Sequence, residues 1–293
     1  MAVRVAVLAG DGIGPEVTAK ALEVLPDDFE VVEIDAGAER YLATGDLITY
    51  ADLHQISSSD ALFFGAIGDP RVPDGVLERG VLLRLRKELD LYVNLRPFPE
   101  LGLTVVRENS EGLYAGLGTR EPGIATETSL NTRPAIERCA RYAFDLARIE
   151  SRRVTLVHKT NVLMNAGSLW REVVEEVAAG YPDVPLSYDH VDAAAYHLVM
   201  DHSRYDILLT DNLFGDILSD LAAGLAGGLG GAASANLHPD ALTRSTRCMG
   251  LFEPVHGSAP DIAGTGTADP TAAIRAAHML VTAVTSATQE VNA

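Results

Sequence analysis

Aromatic and sulfur-bearing side chains are scarce in this chain: of 293 residues only 6% are aromatic, one is Trp and two are Cys. Two cysteines, Cys139 and Cys248, make neither a disulfide framework nor a thiolate metal site, which fits a reducing cytoplasm. Positive charge is also short, with 23 Lys and Arg against 41 Asp and Glu and a formal net charge of −18. A field of that sign opposes nucleic acid and anionic membrane, so neither is expected as a partner. An anionic substrate would need a local group of arginines, and the most concentrated basic stretch runs from Arg79 to Arg96. Long apolar runs are missing too. Ala276–Ala287 is too short and too polar to span a bilayer, and Val3–Ala9 is followed at once by GDGIGPE, as a first strand would be rather than a signal peptide.

What is abundant is small and apolar. With 47% hydrophobic residues and 26 glycines, the chain can bury a substantial core and turn tightly between elements. Val3–Ala9, Phe29–Ile34, Ala61–Gly65, Tyr92–Arg96, Arg153–Val157 and Asp206–Thr210 read as short strands. Helices are expected from Pro15 to Leu25 and over Val81–Leu89, Leu169–Ala178 and Leu218–Leu225. Short strands ending in turns, with helices between them, predict an α/β sheet covered on both faces.

Several segments carry chemistry. GDGIGP at Gly10–Pro15 has neither the glycine spacing of a dinucleotide fingerprint nor the lysine of a triphosphate loop, so a tight structural turn is favoured over phosphate contact. Arg84 and Arg86 stand about 200° apart on a helix, so one faces away from the other; Arg86 flanks the leucine stripe and Arg84 is expected in solvent. Arg86, Arg96 and Arg107, at helix and strand ends, suit the carboxylates of a diacid because guanidinium offers two parallel donors.

In TDNLFGDILSDLAA, Asp216 and Asp220 are four apart and share a helical face, a repulsive arrangement unless a cation or base lies between them. Oxygen ligands of this kind suit Mg2+ or Mn2+, with Asp192 of YDHVD as a candidate third carboxylate. Lys159 in LVHKTNV follows a strand; near a dication a lysine can act as a general base, and Tyr114 could serve as the matching acid. His256, Gly257, Ser258 and Ala259 form a turn-rich loop closed by Pro260 and Asp261, where an acid would accept from ribose hydroxyls and repel a 2′-phosphate. An ordinary surface turn is the plain alternative for that loop.

Taken together, the blocks GDGIGPEV, GAIGDP, LLRLRKELDLYVNLRP, VVRENSEGLYAG, VHKTNVL, HVDAAA, TDNLFGDILSDLAA and FEPVHGSAPDIAGTGTADPTAA resemble the β-decarboxylating dehydrogenases that act on isopropylmalate, isocitrate, homoisocitrate and tartrate. They run from residue 10 to about 273 in family order, and LERG before a leucine-rich helix is similar to the actinobacterial type of isopropylmalate enzyme.

The resemblance implies a two-domain fold that is not a standard Rossmann fold. Residues 1–91 and 227–293 would form a discontinuous first domain carrying most of the cofactor site, and 92–226 an inserted central domain with the metal site and dimer interface. It implies substrate contacts at Leu82, Leu83, Arg86, Arg96 and Arg107, and proton transfer by Tyr114 and Lys159. Asp192 from a partner subunit would join Asp216 and Asp220 on Mg2+ or Mn2+. NAD would be held through His256, Gly257, Ser258, Ala259, Asp261 and Asp269 in a cytoplasmic homodimer with shared active sites.

The implied reaction is NAD-dependent oxidative decarboxylation of 3-isopropylmalate to 4-methyl-2-oxopentanoate and CO2, in leucine biosynthesis. The apolar Leu82–Leu83 pair supports an alkyl substituent, because an unpaired carboxylate there would lose its solvation. RENSEG, by contrast, is more similar to the homoisocitrate and tartrate members, and Asp269 stands where the family commonly has asparagine. Family members are usually longer. Enzymes acting on tartrate, malate, homoisocitrate or another alkyl- or arylmalate therefore stay open, as does a non-catalytic regulatory subunit, which would be expected to lose some of these acids or the base.

Overall fold

A computed structural model describes residues 3–240 and 248–291, with the side chains of 287–291 left aside. The chain divides into two compact units, Met1–Leu91 with Gly227–Ala293, and Tyr92–Ala226. The first unit begins with β1 (Val3–Gly10), α1 (Gly14–Leu22), β2 (Phe29–Glu33), α2 (Ala38–Thr44), α3 (Tyr50–Ser57) and β3 (Ala61–Ala66). A helical segment follows, wound as a π-helix over Glu78–Leu83 and then as α4 (Arg84–Glu88).

The second unit runs through β4 (Val93–Phe98), β5 (Leu103–Glu108), the hairpin β6 (Gly112–Glu121) and β7 (Ile124–Leu130), and α5 (Arg133–Glu150). It continues with β8 (Val154–His158), α6 (Met164–Ala178), β9 (Leu186–His190), α7 (Val191–Asp201), β10 (Ile207–Thr210) and α8 (Asn212–Leu225). The chain then returns to the first unit with β11 (Ala233–Leu237), β12 (Gly250–Pro254) and α9 (Thr271–Val291).

Both units are α/β with mixed sheets. In the first the order is β2-β1-β3-β12-β11, parallel except where β11 meets β12. In the second it is β4-β5-β10-β8-β9, parallel except where β4 meets β5. Strands inside such sheets are covered on both faces and read as continuous apolar runs. Every residue of β3, ALFFGA, is buried accordingly.

The first unit packs Leu8, Ile56, Leu62, Phe64, Val81, Leu85, Leu91 and Leu251 into one cluster. Leu82 packs partly against it, so one of the two leucines is tied to the core. Trp170, Phe98 and Phe144 are the largest apolar side chains fully buried in the second unit. Amphipathic α5 shows why: Ile136, Cys139, Ala140, Ala143, Phe144 and Ala147 recur at helical spacing on one buried face.

Two local expectations are corrected. Val81–Leu89 is not one regular α-helix, because a π-turn takes one extra residue per turn before Arg84, a departure that 3.6-residue periodicity does not reveal. Arg84 is not free in solvent: the rotated helix lets its Nη1 donate to the Ile48 carbonyl at 2.7 Å. No helix among the described residues is long and apolar enough to cross a membrane.

Candidate active site

The second unit builds an arginine–carboxylate cluster on α8. Asp211 caps that helix, accepting from Phe214 N–H at 2.8 Å, as an acid at this position should. From there Asp216 and Asp220 project one turn apart. On the neighbouring antiparallel strands the register pairs Arg96 with Val105 and Asn94 with Arg107, so Arg96 and Arg107 share one face of the sheet.

Both arginines reach α8. Arg96 donates through Nε to Asn94 at 2.9 Å, through Nη1 to Ser219 at 2.8 Å and Asp220 at 3.1 Å, and through Nη2 to Asp216 at 3.3 Å. Arg107, only 1% exposed, donates through Nε to Asn212 at 2.9 Å and through Nη1 to Asp216. Its side chain crosses the helix at Gly215, where a Cβ would lie 2.6 Å from Arg107 Cγ. Any larger residue there would push the guanidinium away. Tyr114, from β6, donates to Asp216 Oδ2 at 2.7 Å and lies with its ring 4.9 Å from the Arg107 guanidinium.

Electrostatics separate the two helix carboxylates. Burial works to raise the Asp216 pKa, but the charges of Arg107 and Arg96 and the Tyr114 hydroxyl overcome it and hold the group below the usual carboxylate range. Asp220 is shifted up instead, by burial and by the charge of Asp216, with Arg96 compensating only in part. Burial and the bond to Asp216 raise the Tyr114 phenol, keeping it a proton donor at neutral pH.

Lys159 and Asp192 form a second cluster. Parallel β8 and β9 pair His158 with His190, which brings the residues just after both strands to one edge. Lys159 Nζ donates to Asp192 Oδ1 at 2.5 Å, and that bond holds the Asp192 carboxyl below its ordinary pKa. Asp192 sits in the first turn of α7 and is well exposed. Tyr188 stiffens the lysine loop, its Oη accepting from Thr160 N–H at 3.2 Å and lying 2.9 Å from Thr160 Oγ1.

Among the described residues, no three His, Cys, Asp or Glu side chains stand close enough to share a metal. The donors Asp216 and Asp220 fit a hard cation by oxygen chemistry and helical spacing, but one chain brings Asp192 to Lys159 and not to them.

Behind these clusters lies a buried group with no expected role. His158 is fully buried, its ring 5.8 Å from Trp170 and 5.5 Å from Phe214, and burial lowers its pKa to about 4. Its Nε2 is 3.5 Å from Asp211 Oδ2, and burial raises that carboxyl to about 6. The contact at neutral pH is therefore a neutral imidazole beside a carboxylate, not an ion pair.

In the first unit, Arg86 donates to Glu253 Oε1 at 3.1 Å, and Asn236 Nδ2 donates to the same oxygen at 2.8 Å. The Arg86 Nε is buried without a partner among the described residues, leaving a donor aimed at nothing. Leu82 and Leu83 both lie in the π-helical segment. The loop after β12 places His256 partly buried, Gly257 exposed, Ser258 buried and Asp261 exposed in the tight turn Pro260–Ile262. Ala259 takes a left-handed conformation, φ 38°. Asp269, also exposed, accepts from Thr271 N–H at 2.9 Å and from its hydroxyl at 2.6 Å, which lowers its pKa.

Asn94, Asn212, Ser219 and Glu253 orient the arginines, yet none is a site residue expected from the sequence. Asn212 and Ser219 were within reach, since they lie in the same motif as Asp216 and Asp220. Asn94 was within reach as well, two residues before Arg96 on the same face of one strand, whereas Glu253 carries no local signal because a returning chain supplies its contact.

Comparison with known proteins agrees over nearly the whole chain. Residues 4–293 match the isocitrate/isopropylmalate dehydrogenase family profile. The chain is 52% identical over 300 residues to a 3-isopropylmalate dehydrogenase of Corynebacterium diphtheriae, spanning 95% of this chain and 87% of that protein. It is likewise 52% identical over 300 residues to one of Rhodococcus opacus, spanning 95% and 88%. A crystal structure of isocitrate dehydrogenase from Methylococcus capsulatus superposes with a TM-score of 0.84 at 39% identity, over 96% of this chain and 86% of that one. A β-decarboxylating dehydrogenase from Thermococcus kodakarensis, in apo form, gives 0.80 at 41% identity over 95% and 82%. With the arginine–carboxylate cluster of α8 and a profile match from residue 4 to 293, the chain belongs to the isocitrate/isopropylmalate dehydrogenase family.

Proposed function

We propose that the protein is a 3-isopropylmalate dehydrogenase, oxidising the 2-hydroxyl of its substrate with NAD+ and releasing the neighbouring carboxylate as CO2. The observation that carries this is the α8 cluster, in which Arg96 and Arg107 converge on Asp216 and Asp220 with Tyr114 against Asp216. Identity near 50% to curated 3-isopropylmalate dehydrogenases supports the choice of substrate.

Arg96 and Arg107 supply fixed guanidinium donors for substrate carboxylates, at the expense of their present bonds to Asp216 and Asp220. Arg86, held by Glu253, would supply a third. Leu83 offers apolar surface to the isopropyl group. Lys159 serves as the general base for the proton of the 2-hydroxyl as C2 gives up its hydride. The product is a β-keto acid; its C–C bond to the departing carboxylate breaks, and Tyr114 returns a proton to the carbon left behind.

Asp216, Asp220 and an Asp192 carboxylate would hold Mg2+ or Mn2+, which would supply Lewis-acid polarisation of the substrate oxygens, and NAD+ would supply the hydride acceptor. The loop His256–Asp261 and Asp269 would hold the adenosine half of NAD+.

A homodimer with shared sites follows from the same reading. One chain leaves Asp192 beside Lys159 rather than with Asp216 and Asp220. A second copy is needed to complete the ligand set. Tyr196, Val199 and Met200 on α7 and Ile217 on α8 expose large apolar surface where such a copy would pack. The unpaired thiols Cys139 and Cys248 favour a cytoplasmic location.

The test is NADH formation with NAD+ and Mn2+ on 3-isopropylmalate, homoisocitrate, isocitrate, tartrate, malate and an arylmalate. A strong preference for 3-isopropylmalate supports the proposal and a role in leucine biosynthesis. Preference for another acid keeps the chemistry and overturns the substrate. Activity on none would favour a regulatory subunit.

A further inference from the structure

The GDGIGP turn takes no part in the chemistry above, yet it is packed against the loop assigned to the cofactor. Gly12 has φ +58°, and a Cβ placed on it would lie 2.0 Å from the Ser258 carbonyl oxygen and 2.9 Å from Ser258 Cβ. The next residue, Ile13, donates its N–H to that same oxygen at 2.8 Å. From the other side, Gly68 approaches so closely that a Cβ there would be 3.2 Å from Ser258 Oγ. Asp11 ties the two sides together: its carboxylate accepts from Gly68 N–H at 3.0 Å and from Ala38 N–H at 2.7 Å. Ser258 is thus clamped by backbone.

The residue after Ser258 shows what the clamp holds. Ala259 is left-handed, φ 38° and ψ 61°, and precedes a proline. A non-glycine residue in that region is strained and persists only where its surroundings over-determine it. Ile13 N–H and the Gly12 backbone fix Ser258, and Ser258 fixes the start of Ala259. The strained turn then sets the direction of Pro260 and Asp261.

We infer that the Asp11–Ile13 turn is a buttress that holds the His256–Asp261 loop in the conformation the dinucleotide needs, making Asp11 and Gly12 positioning residues for cofactor binding. The inference rests on the cofactor reading of that loop. It gives the glycines of this turn a role of their own: they allow one backbone to lie against another.

The test compares Gly12→Ala with Gly45→Ala. Gly45 has φ +79° with no atom within 4 Å of a Cβ, so its variant carries the same kind of backbone strain without touching the loop. Hydrogen exchange of the 256–262 segment is measured first, without cofactor. Gly12→Ala is expected to speed exchange there at least about tenfold over Gly45→Ala. It is also expected to raise the NADH Kd and the KM for NAD+ about tenfold, with kcat at saturating NAD+ within about threefold of the parent. Adding Ala259→Gly to Gly12→Ala should recover part of the affinity, because glycine enters the left-handed region without the clamp. Asp11→Asn, which removes one charged acceptor and inserts no atom, should act in the same direction more weakly and serves if Gly12→Ala does not fold.

Exchange no faster than in Gly45→Ala overturns the buttress, whatever NADH does. Faster exchange with unchanged NADH affinity overturns its role in positioning the cofactor. If NADH fails to bind the parent protein, or Asp261→Lys leaves its binding unaltered, the cofactor assignment of the loop falls instead, and the exchange data still decide the buttress.

Discussion

Lys159 and Asp192 hold each other at 2.5 Å across the ends of two parallel strands, while Asp216 and Asp220 of α8 are held by Arg96 of β4, and Asp216 by Arg107 of β5 as well. Among the described residues the two clusters share no three-ligand group, and under the proposed function each is one part of an active site. If the parts are completed by exchange between two copies, separate damage to each should be repairable by mixing. Lys159→Ala and Asp220→Asn are each expected to lower kcat by 10² or more, on the order of a lost general base or metal ligand. Refolding them together would give random dimers, half of them mixed, each with one intact site. Activity should return to about a quarter of the parent value. No recovery would place all the catalytic residues of a site on one chain.

The contrast between these clusters shows what the sequence makes legible. Asp216 and Asp220 share a face because four residues are close to one helical turn, and that is visible in any window of the chain. The meeting of Lys159 with Asp192 depends on the pairing of β8 with β9, thirty-odd residues apart, and although both are candidates for one metal site in the sequence, no local spacing signals their direct contact. The same distinction separates Arg107, evident as a strand-end arginine, from Gly215, whose lack of a side chain is what lets that arginine cross the helix. Short strands were readable as apolar runs. The π-turn at Glu78–Leu83 was not, because a hydrophobic stripe of 3.6-residue period does not record one extra residue. The contact of GDGIGP with Ser258 joins residues about 250 apart and has no local signal at all.

Asp261 is exposed at the end of the clamped loop, with no hydrogen bond that would compete for a ribose hydroxyl among the described residues. Replacing it with lysine exchanges repulsion of a 2′-phosphate for attraction. Asp261→Lys is therefore expected to shift the ratio of kcat/KM for NAD+ over NADP+ toward NADP+ by about tenfold or more, one charge-assisted contact. Steady-state rates with both cofactors check this. An unchanged ratio would remove Asp261 from cofactor selection.

Leu83 and Leu82 differ in what they are free to do. Leu82 packs partly on the core cluster, so its replacement costs stability. Under the proposed function Leu83 contacts the alkyl group of the substrate. Leu83→Arg should lower kcat/KM for 3-isopropylmalate by roughly 10–200-fold, the range for losing apolar contact in a pocket. The variant's relative rate on homoisocitrate, which carries a carboxylate in place of the alkyl group, should rise. Equal losses on both substrates would indicate that Leu83 supports the fold rather than selecting the acid.

His158 and Asp211 pull the pH dependence of stability in opposite directions. Burial depresses the imidazole to about 4 from an ordinary 6.5, so the unfolded chain binds more protons between those values and stability rises with pH across them. Burial raises the Asp211 carboxyl to about 6 from 3.8, so the folded protein binds more protons there and stability falls as pH rises through that window. Each effect amounts to roughly 3 kcal/mol at full extent, since one pKa unit is worth about 1.4 kcal/mol. Glu108, raised by burial as well, acts in the same direction as Asp211. Asp211→Asn keeps an oxygen to accept from Phe214 N–H and removes only the titration. The stability of the parent protein minus that of Asp211→Asn, from urea denaturation at several pH values, should therefore decline by roughly 3 kcal/mol between pH 4 and pH 7. A difference that stays constant over that range would show that Asp211 is ionised alike in the folded and unfolded chain. The cap of α8 would then carry its charge unshifted at the helix start, and burial would have no grip on it.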